Sequence, residues 1–239
     1  MLTNPIIVAL DVTSTEAATS LVRELSGSVG AYKIGLELFN STGLAIFDAI
    51  KAAAPTANIF YDAKFHDIPN TVAGAVKAAV VNGVWMVNVH ASGGRAMMAA
   101  AVAAASQAEM KPLVIAVTIL TSLDDNDLNN DLGIVRSATE QVVALALLAK
   151  DSGCDGVVCS PHEIEAIKKA CGSDFLVVTP GVRPAGAAVG DQKRVMTPGE
   201  AVKRGADYIV VGRPITSSPN PAESARAILA EIEATGVNN

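Results

Sequence analysis

Eight short apolar, β-branched runs recur along this chain, each followed by an amphipathic, alanine-rich segment, and that alternation limits the folds open to it. The runs are Ile6 to Asp11, Ala31 to Leu36, Ile59 to Lys64, Met86 to His90, Leu113 to Ile119, Gly156 to Ser160, Phe175 to Pro180 and Tyr208 to Gly212. The segments with helical periodicity are 15 to 26, 40 to 54, 71 to 83, 94 to 108, 135 to 152, 161 to 171, 198 to 205 and 221 to 234. Near-continuous apolar strands alternating with helices imply a parallel sheet covered by helices. Eight such units favour a closed (β/α)8 barrel, with an open doubly wound sheet as the alternative. The length of 239 residues fits a single barrel, typically about 250 residues. No linker interrupts the alternation, so residues 1–239 read as one domain.

Half of the residues are hydrophobic and only 4% are aromatic, which makes Ala, Val, Ile and Leu the material of the core. The net charge of −6 with no basic run argues against a nucleic-acid polymer as ligand, so a phosphate would have to be met by a local site. There is no apolar stretch of the ~20 residues a membrane span needs and no basic-then-apolar leader, which predicts a soluble, cytoplasmic protein. Cys154, Cys159 and Cys171 lack Cys-x-x-Cys spacing and read as buried, reduced thiols. Three histidines, His66, His90 and His162, have no ligand-like spacing, so a transition-metal site is not expected. Composition leaves a magnesium site on carboxylates open.

In a parallel barrel the functional groups gather at the C-terminal ends of the strands. The third run ends there with Asp62-Ala63-Lys64-Phe65-His66-Asp67-Ile68-Pro69-Asn70-Thr71. Alternate strand residues share a face, so Asp62 and Lys64 leave the strand on one side, roughly 6 to 7 Å apart at their Cα atoms. Asp67 lies past the strand end, before the helix opened by Pro69. Two carboxylates would then bracket one ammonium, keeping Lys64 protonated and aimed as a general acid; a surface salt-bridge cluster is the plainer reading. Lys33, inside the second strand, must be paired because an uncompensated buried charge is costly. Asp62 is its natural partner, which predicts an alternating network of Lys33, Asp62, Lys64 and Asp67.

Other strand ends carry polar groups with two readings each. Asp11 suits a ribose hydroxyl or a helix cap. His90 could act as a base, but more commonly such a residue hydrogen-bonds its neighbours. Thr121 or Ser122 could meet a heterocycle or serve the turn, and Asp124 to Asp131 reads as solvated surface. Phosphate chemistry is suggested by Pro180-Gly181-Val182-Arg183-Pro184, by Asp191-Gln192-Lys193-Arg194 and by Val211-Gly212-Arg213-Pro214, because barrels often bind phosphate with the loops after strands seven and eight.

Taken in barrel order over essentially the full length, these motifs closely resemble the orotidine 5′-phosphate decarboxylase family, in its bacterial type. The resemblance implies conversion of orotidine 5′-monophosphate to uridine 5′-monophosphate and CO2, with neither metal nor organic cofactor, by a homodimer whose active sites lie at the interface. It makes Lys64 the proton donor to C6, sets Asp62 beside the departing carboxylate, and has Lys33 support Asp62 and touch ribose. It assigns Asp11 to ribose, Thr121 to the pyrimidine, and Gln192, Gly212 and Arg213 to phosphate, with Arg183 nearby. Asp67 and Thr71 would reach into the partner's site. A related group of phosphosugar decarboxylases and aldolases shares the Asp-x-Lys-x-x-Asp run but uses Mg²⁺. That group carries an acidic metal ligand on the second strand, where this chain has Lys33.

Overall fold

A computed structural model describes residues 2–184 and 196–236. Eight parallel strands close in sequence order, β1 to β8, with β8 pairing back onto β1. They are β1 (Ile6–Ala9), β2 (Ala31–Ile34), β3 (Ile59–Phe65), β4 (Met86–His90), β5 (Leu113–Val117), β6 (Gly156–Val158), β7 (Leu176–Pro180) and β8 (Tyr208–Val211). Closure excludes the open doubly wound sheet, and each strand falls inside or within a residue of its apolar run.

The helices are α1 (Thr15–Leu25), α2 (Leu36–Thr42), α3 (Ala45–Ala53), α4 (Pro69–Val81), α5 (Gly94–Ala105), α6 (Asp125–Asn130), α7 (Ala138–Asp151), α8 (Ile164–Cys171), α9 (Pro198–Lys203), α10 (Arg213–Thr216) and α11 (Pro221–Glu233). Three depart from the sequence expectation. The segment 40 to 54 is two helices, because Gly43, at φ 70°, closes α2 with its N–H on the Phe39 carbonyl. The acidic stretch is not bare surface: Asp124 and Asp127 form a reciprocal cap on α6, which buries Leu128. A run of Asp and Asn looks solvated until the capping spacing is noticed. Finally, α10 follows β8 directly and has no apolar period long enough to announce it.

Strand alternation divides the apolar interior in two. Ile6, Val8 and Leu10 on β1 and its end, with Val87 and Val89 on β4, face the helices in the larger cluster. Ile7, Ala31, Phe60, Met86, Ile115 and Tyr208 fill the inside of the barrel. The inward positions change character toward the strand C-termini: Ile7 is followed by Ala9 and Asp11, Ala31 by Lys33, and Phe60 by Asp62 and Lys64. The charged site therefore stands on an apolar floor. The opposite end is closed by Trp85 edge-on to Tyr208, whose hydroxyl accepts the Leu2 N–H at 3.2 Å.

Candidate active site

A cavity of about 340 Å³ opens at the C-terminal end of the barrel, lined by Asp11, Lys33, Asp62, Lys64, Thr121, Arg183, Gly212 and Arg213 among others. That volume is within the range of small-molecule sites. Asp62 is its electrostatic centre. One carboxylate oxygen, Oδ1, accepts from Lys64 Nζ at 2.7 Å, and the other, Oδ2, lies 3.3 Å from Lys33 Nζ. Lys33 also reaches Asp11 Oδ1 at 3.4 Å. The Lys33 and Asp62 side chains are 11% and 12% exposed, whereas Lys64 is 31% and Asp11 56% exposed. The pair at the base is thus shielded, while Lys64 and Asp11 face the open cavity.

Burial alone would raise the Asp62 carboxyl. The Lys33 and Lys64 ammoniums, with hydrogen bonds from Lys64 and Asn88, outweigh that and hold it below the usual carboxylate range. Asp62 is therefore a fixed negative charge between two cations at neutral pH. Such an arrangement can carry an ammonium to a reacting atom while anchoring its counter-charge.

The local backbone is unusual. Lys64, at φ 51°, is the one non-glycine residue with positive φ among the described residues. The β3–β4 ladder also shifts register there: Tyr61 pairs with Val87, and the next pair is Phe65 with Val89. Three residues, Asp62 to Lys64, bulge against the single residue Asn88. Bulges of this kind re-aim side chains beside functional sites.

Asp67 departs from the expected network. Its carboxylate accepts its own chain's Ile68 N–H at 2.6 Å, and among the described residues it makes no ion pair with Lys64. The chain has turned out of the barrel by that point, so Asp67 and Thr71 sit exposed beyond the strand, outside the cavity lining. Three members of the predicted four-charge network come together within one chain and the fourth does not. Gln192 lies outside the described residues. Arg183 is 9% exposed, with its backbone N–H on the Met196 carbonyl and its side-chain Nε buried without a partner among the described residues.

His90 was expected to hydrogen-bond its neighbours. Among the described residues its side chain makes no hydrogen bond, and its ring packs against that of His66, with centroids 5.4 Å apart and planes at 38°. Burial first, then His66 and Lys64, hold the His90 imidazole below the usual histidine range, against the opposing pull of Asp62. All three cysteines are buried and free. Among the described residues no group of His, Cys, Asp and Glu has metal-site geometry, and no helix is long and apolar enough to cross a membrane.

The residue missed in the sequence is Asn88. Its side chain donates to Asp62 Oδ1 and accepts the Lys64 backbone N–H, both at 2.7 Å. The available signal was a lone amide at an inward position of an otherwise apolar strand, Met86-Val87-Asn88-Val89, since buried polar groups require partners.

The profile of the family described as "Orotidine 5'-phosphate decarboxylase / HUMPS family" matches residues 4–228. The orotidine 5'-phosphate decarboxylase of Moorella thermoacetica is 54% identical over 233 residues, covering 95% of this chain and 92% of that protein. The protein of the same name from Alcanivorax borkumensis is 48% identical over 231 residues, covering 97% and 99%. Among solved structures, orotidine 5'-phosphate decarboxylase from Lactobacillus acidophilus superposes with a TM-score of 0.85 at 38% identity, covering 96% of this chain and 99% of that one. Barrel, charge cluster and these likenesses agree, and the chain belongs to the orotidine 5'-phosphate decarboxylase / HUMPS family.

Proposed function

We propose that this protein decarboxylates orotidine 5′-monophosphate to uridine 5′-monophosphate and CO2, the last step of de novo UMP synthesis. The whole chain acts as one catalytic domain of a cytoplasmic homodimer and uses neither metal nor organic cofactor. The observation that carries this reading is the single carboxylate, Asp62, gripped by Lys64 at 2.7 Å and Lys33 at 3.3 Å directly above an apolar barrel interior.

Loss of CO2 from C6 leaves a carbanion that the pyrimidine ring delocalises poorly. A cation already fixed at C6 stabilises that charge as it forms, and because its position is set before reaction no reorganisation is needed. Lys64 supplies the cation and then transfers a proton from Nζ to C6. Asp62 keeps Lys64 charged and aimed, and it stands next to the carboxylate that departs. Lys33 offsets the Asp62 charge and, with Asp11, meets the ribose hydroxyls; Thr121 contacts the pyrimidine. Gly212, Arg213 and Arg183, with Gln192, take the phosphate, Arg183 bringing a buried Nε that lacks a protein acceptor among the described residues. Binding at that remote group can hold the reacting ring in a closed, dry site, so part of the binding energy appears in the rate.

Asp67 and Thr71, exposed on the rim of their own barrel, serve the partner's site. Mixing inactive Lys64→Ala with inactive Asp67→Ala subunits should restore activity in some mixed dimers, and no restoration would remove this part of the proposal.

The Mg²⁺-dependent phosphosugar enzymes remain the nearest rival within the family. Lys33 opposes it, because its ammonium stands on the second strand where that group carries an acidic metal ligand, 3.3 Å from Asp62, and would repel a divalent cation. Purified protein in excess EDTA should convert orotidine 5′-monophosphate to UMP, followed by ultraviolet absorbance, and Lys64→Ala should not. Dependence on added Mg²⁺, with turnover of a phosphosugar, would replace the proposal by its rival.

A further inference from the structure

The bulge in β3 takes the Lys64 N–H out of the regular ladder, and what receives it is a side chain. Asn88, on the facing strand β4, is 1% exposed. Its Oδ1 accepts the Lys64 N–H at 2.7 Å, and its Nδ2 donates to Asp62 Oδ1 at 2.7 Å. The amide orientation is dictated by its partners, since a backbone N–H can only donate and a carboxylate can only accept. One group thus holds the backbone of the ammonium residue, at its positive φ of 51°, and the carboxylate with which that ammonium pairs.

We propose that Asn88 is a positioning residue for the decarboxylation put forward above, on which this inference rests: it fixes the separation and direction of Lys64 and Asp62 without touching substrate. Gly212 and Arg213, assigned to phosphate, follow β8, which stands across the closed barrel from β4. Loss of Asn88 therefore lowers kcat and leaves KM nearly unchanged. A displacement of about 1 Å at a reacting group costs on the order of 10²-fold in rate, and that is the loss expected in Asn88→Ala.

Asn88→Asp separates positioning from mere packing. The substitution is nearly isosteric, replaces the donor by an acceptor, and sets two carboxylates against each other. Two ammoniums hold the Asp62 charge, so the shared proton goes to the introduced carboxyl, whose affinity for it is raised by the like charge. Protonated, that group donates to Asp62 through O–H and accepts the Lys64 N–H through C=O, which restores both bonds. The titratable groups around it are Asp62 and Lys64 on β3, Lys33 and Asp11 behind them, and His90 with His66 beyond. From β5, the facing Ile115 brings no charge. These groups are present in every variant, and Asn88→Ala, which adds no charge, supplies the baseline against which the titration of the introduced carboxyl is read.

The test compares wild type, Asn88→Ala and Asn88→Asp for kcat and KM on orotidine 5′-monophosphate across pH, with urea unfolding in parallel. The kcat of Asn88→Asp relative to wild type should rise as pH falls, whereas the ratio for Asn88→Ala should stay flat. Wild-type kcat in Asn88→Ala, a KM effect larger than the kcat effect, or a flat ratio in Asn88→Asp would overturn the proposal. If wild type itself shows no turnover, the assigned reaction fails, and the Asn88 bonds are judged on unfolding. The raised carboxyl affinity then requires the stability of Asn88→Asp relative to wild type to improve as pH falls, and a flat difference refutes it. Should Asn88→Ala not fold, Asn88→Asp decides alone; failure of both to fold would assign Asn88 to the barrel core instead.

Discussion

Lys64 carries its charge on a strained backbone, and the strain can be measured apart from the chemistry. A left-handed conformation costs an L-residue roughly 1–2 kcal/mol, and at φ 51° an alanine would bear the same cost as lysine. Glycine would not, but it adds about 0.4–1 kcal/mol of freedom to the unfolded chain. Lys64→Gly should therefore be more stable than Lys64→Ala by about 0.5–1 kcal/mol. In an ordinary strand the order is reversed, with glycine worse than alanine by roughly 0.5–1 kcal/mol. The two accounts thus differ in sign, by about 1–2 kcal/mol in all. Both variants lose the ammonium beside Asp62, so the comparison isolates the backbone. Urea unfolding followed by circular dichroism resolves it, and in a chain of this size each kcal/mol moves Tm by about 2–4 °C. Equal stability, or a more stable Lys64→Ala, would refute the claim that the β3 bulge is a strained device for aiming Lys64.

Three further outcomes follow from the same geometry. Because Asp62 is held below the usual carboxylate range, its native form gives up its proton more readily than the unfolded chain does. That contribution to stability is fully present above about pH 4 and is lost as pH falls through the lower native value, so Asp62→Asn should flatten the acid limb of the unfolding free energy against pH; an unchanged limb would contradict the assignment. Burial pushes the Cys154 thiol up to about 12 and raises Cys159 and Cys171 as well, so a thiol reagent at pH 8 should label all three only after unfolding, and rapid labelling of the native protein would count against this packing. A Cβ at Gly35 would stand 2.8 Å from Lys33 Nζ; Gly35→Ala should displace that flexible ammonium at a stability cost below about 1 kcal/mol while lowering kcat/KM at least about tenfold, and wild-type kinetics would show that the Lys33 position is not critical.

How much of this was legible in the sequence depended on whether the information was periodic or local. The barrel was, because buried parallel strands must be apolar on both faces, and the eight runs have that pattern. Lys33 and Asp62 were legible as partners by the same logic, since a charge inside such a strand requires a counter-charge. Asp67 does lie in the loop between β3 and α4, but its pairing within one chain was not legible, because counting residues past a strand end gives a position and no direction. Asn88 was overlooked because one amide in an apolar run is easily absorbed into the strand, whereas the buried-polar rule would have singled it out. The break at Gly43 and the capped α6 depended on single-residue turn and capping chemistry that a helical period does not record.

The proposed role of Lys64, held by Asp62, is to drive cleavage of the bond between C6 and the carboxyl carbon without a metal. It is tested most directly with orotidine 5′-monophosphate labelled with carbon-13 in that carboxyl group, followed by NMR in excess EDTA with wild type and Lys64→Ala. Wild type should release the label as CO2 and bicarbonate, one for each UMP formed, and Lys64→Ala should leave it on the nucleotide. Retention of the label by wild type, equal release by Lys64→Ala, or release only after Mg²⁺ is restored would contradict it.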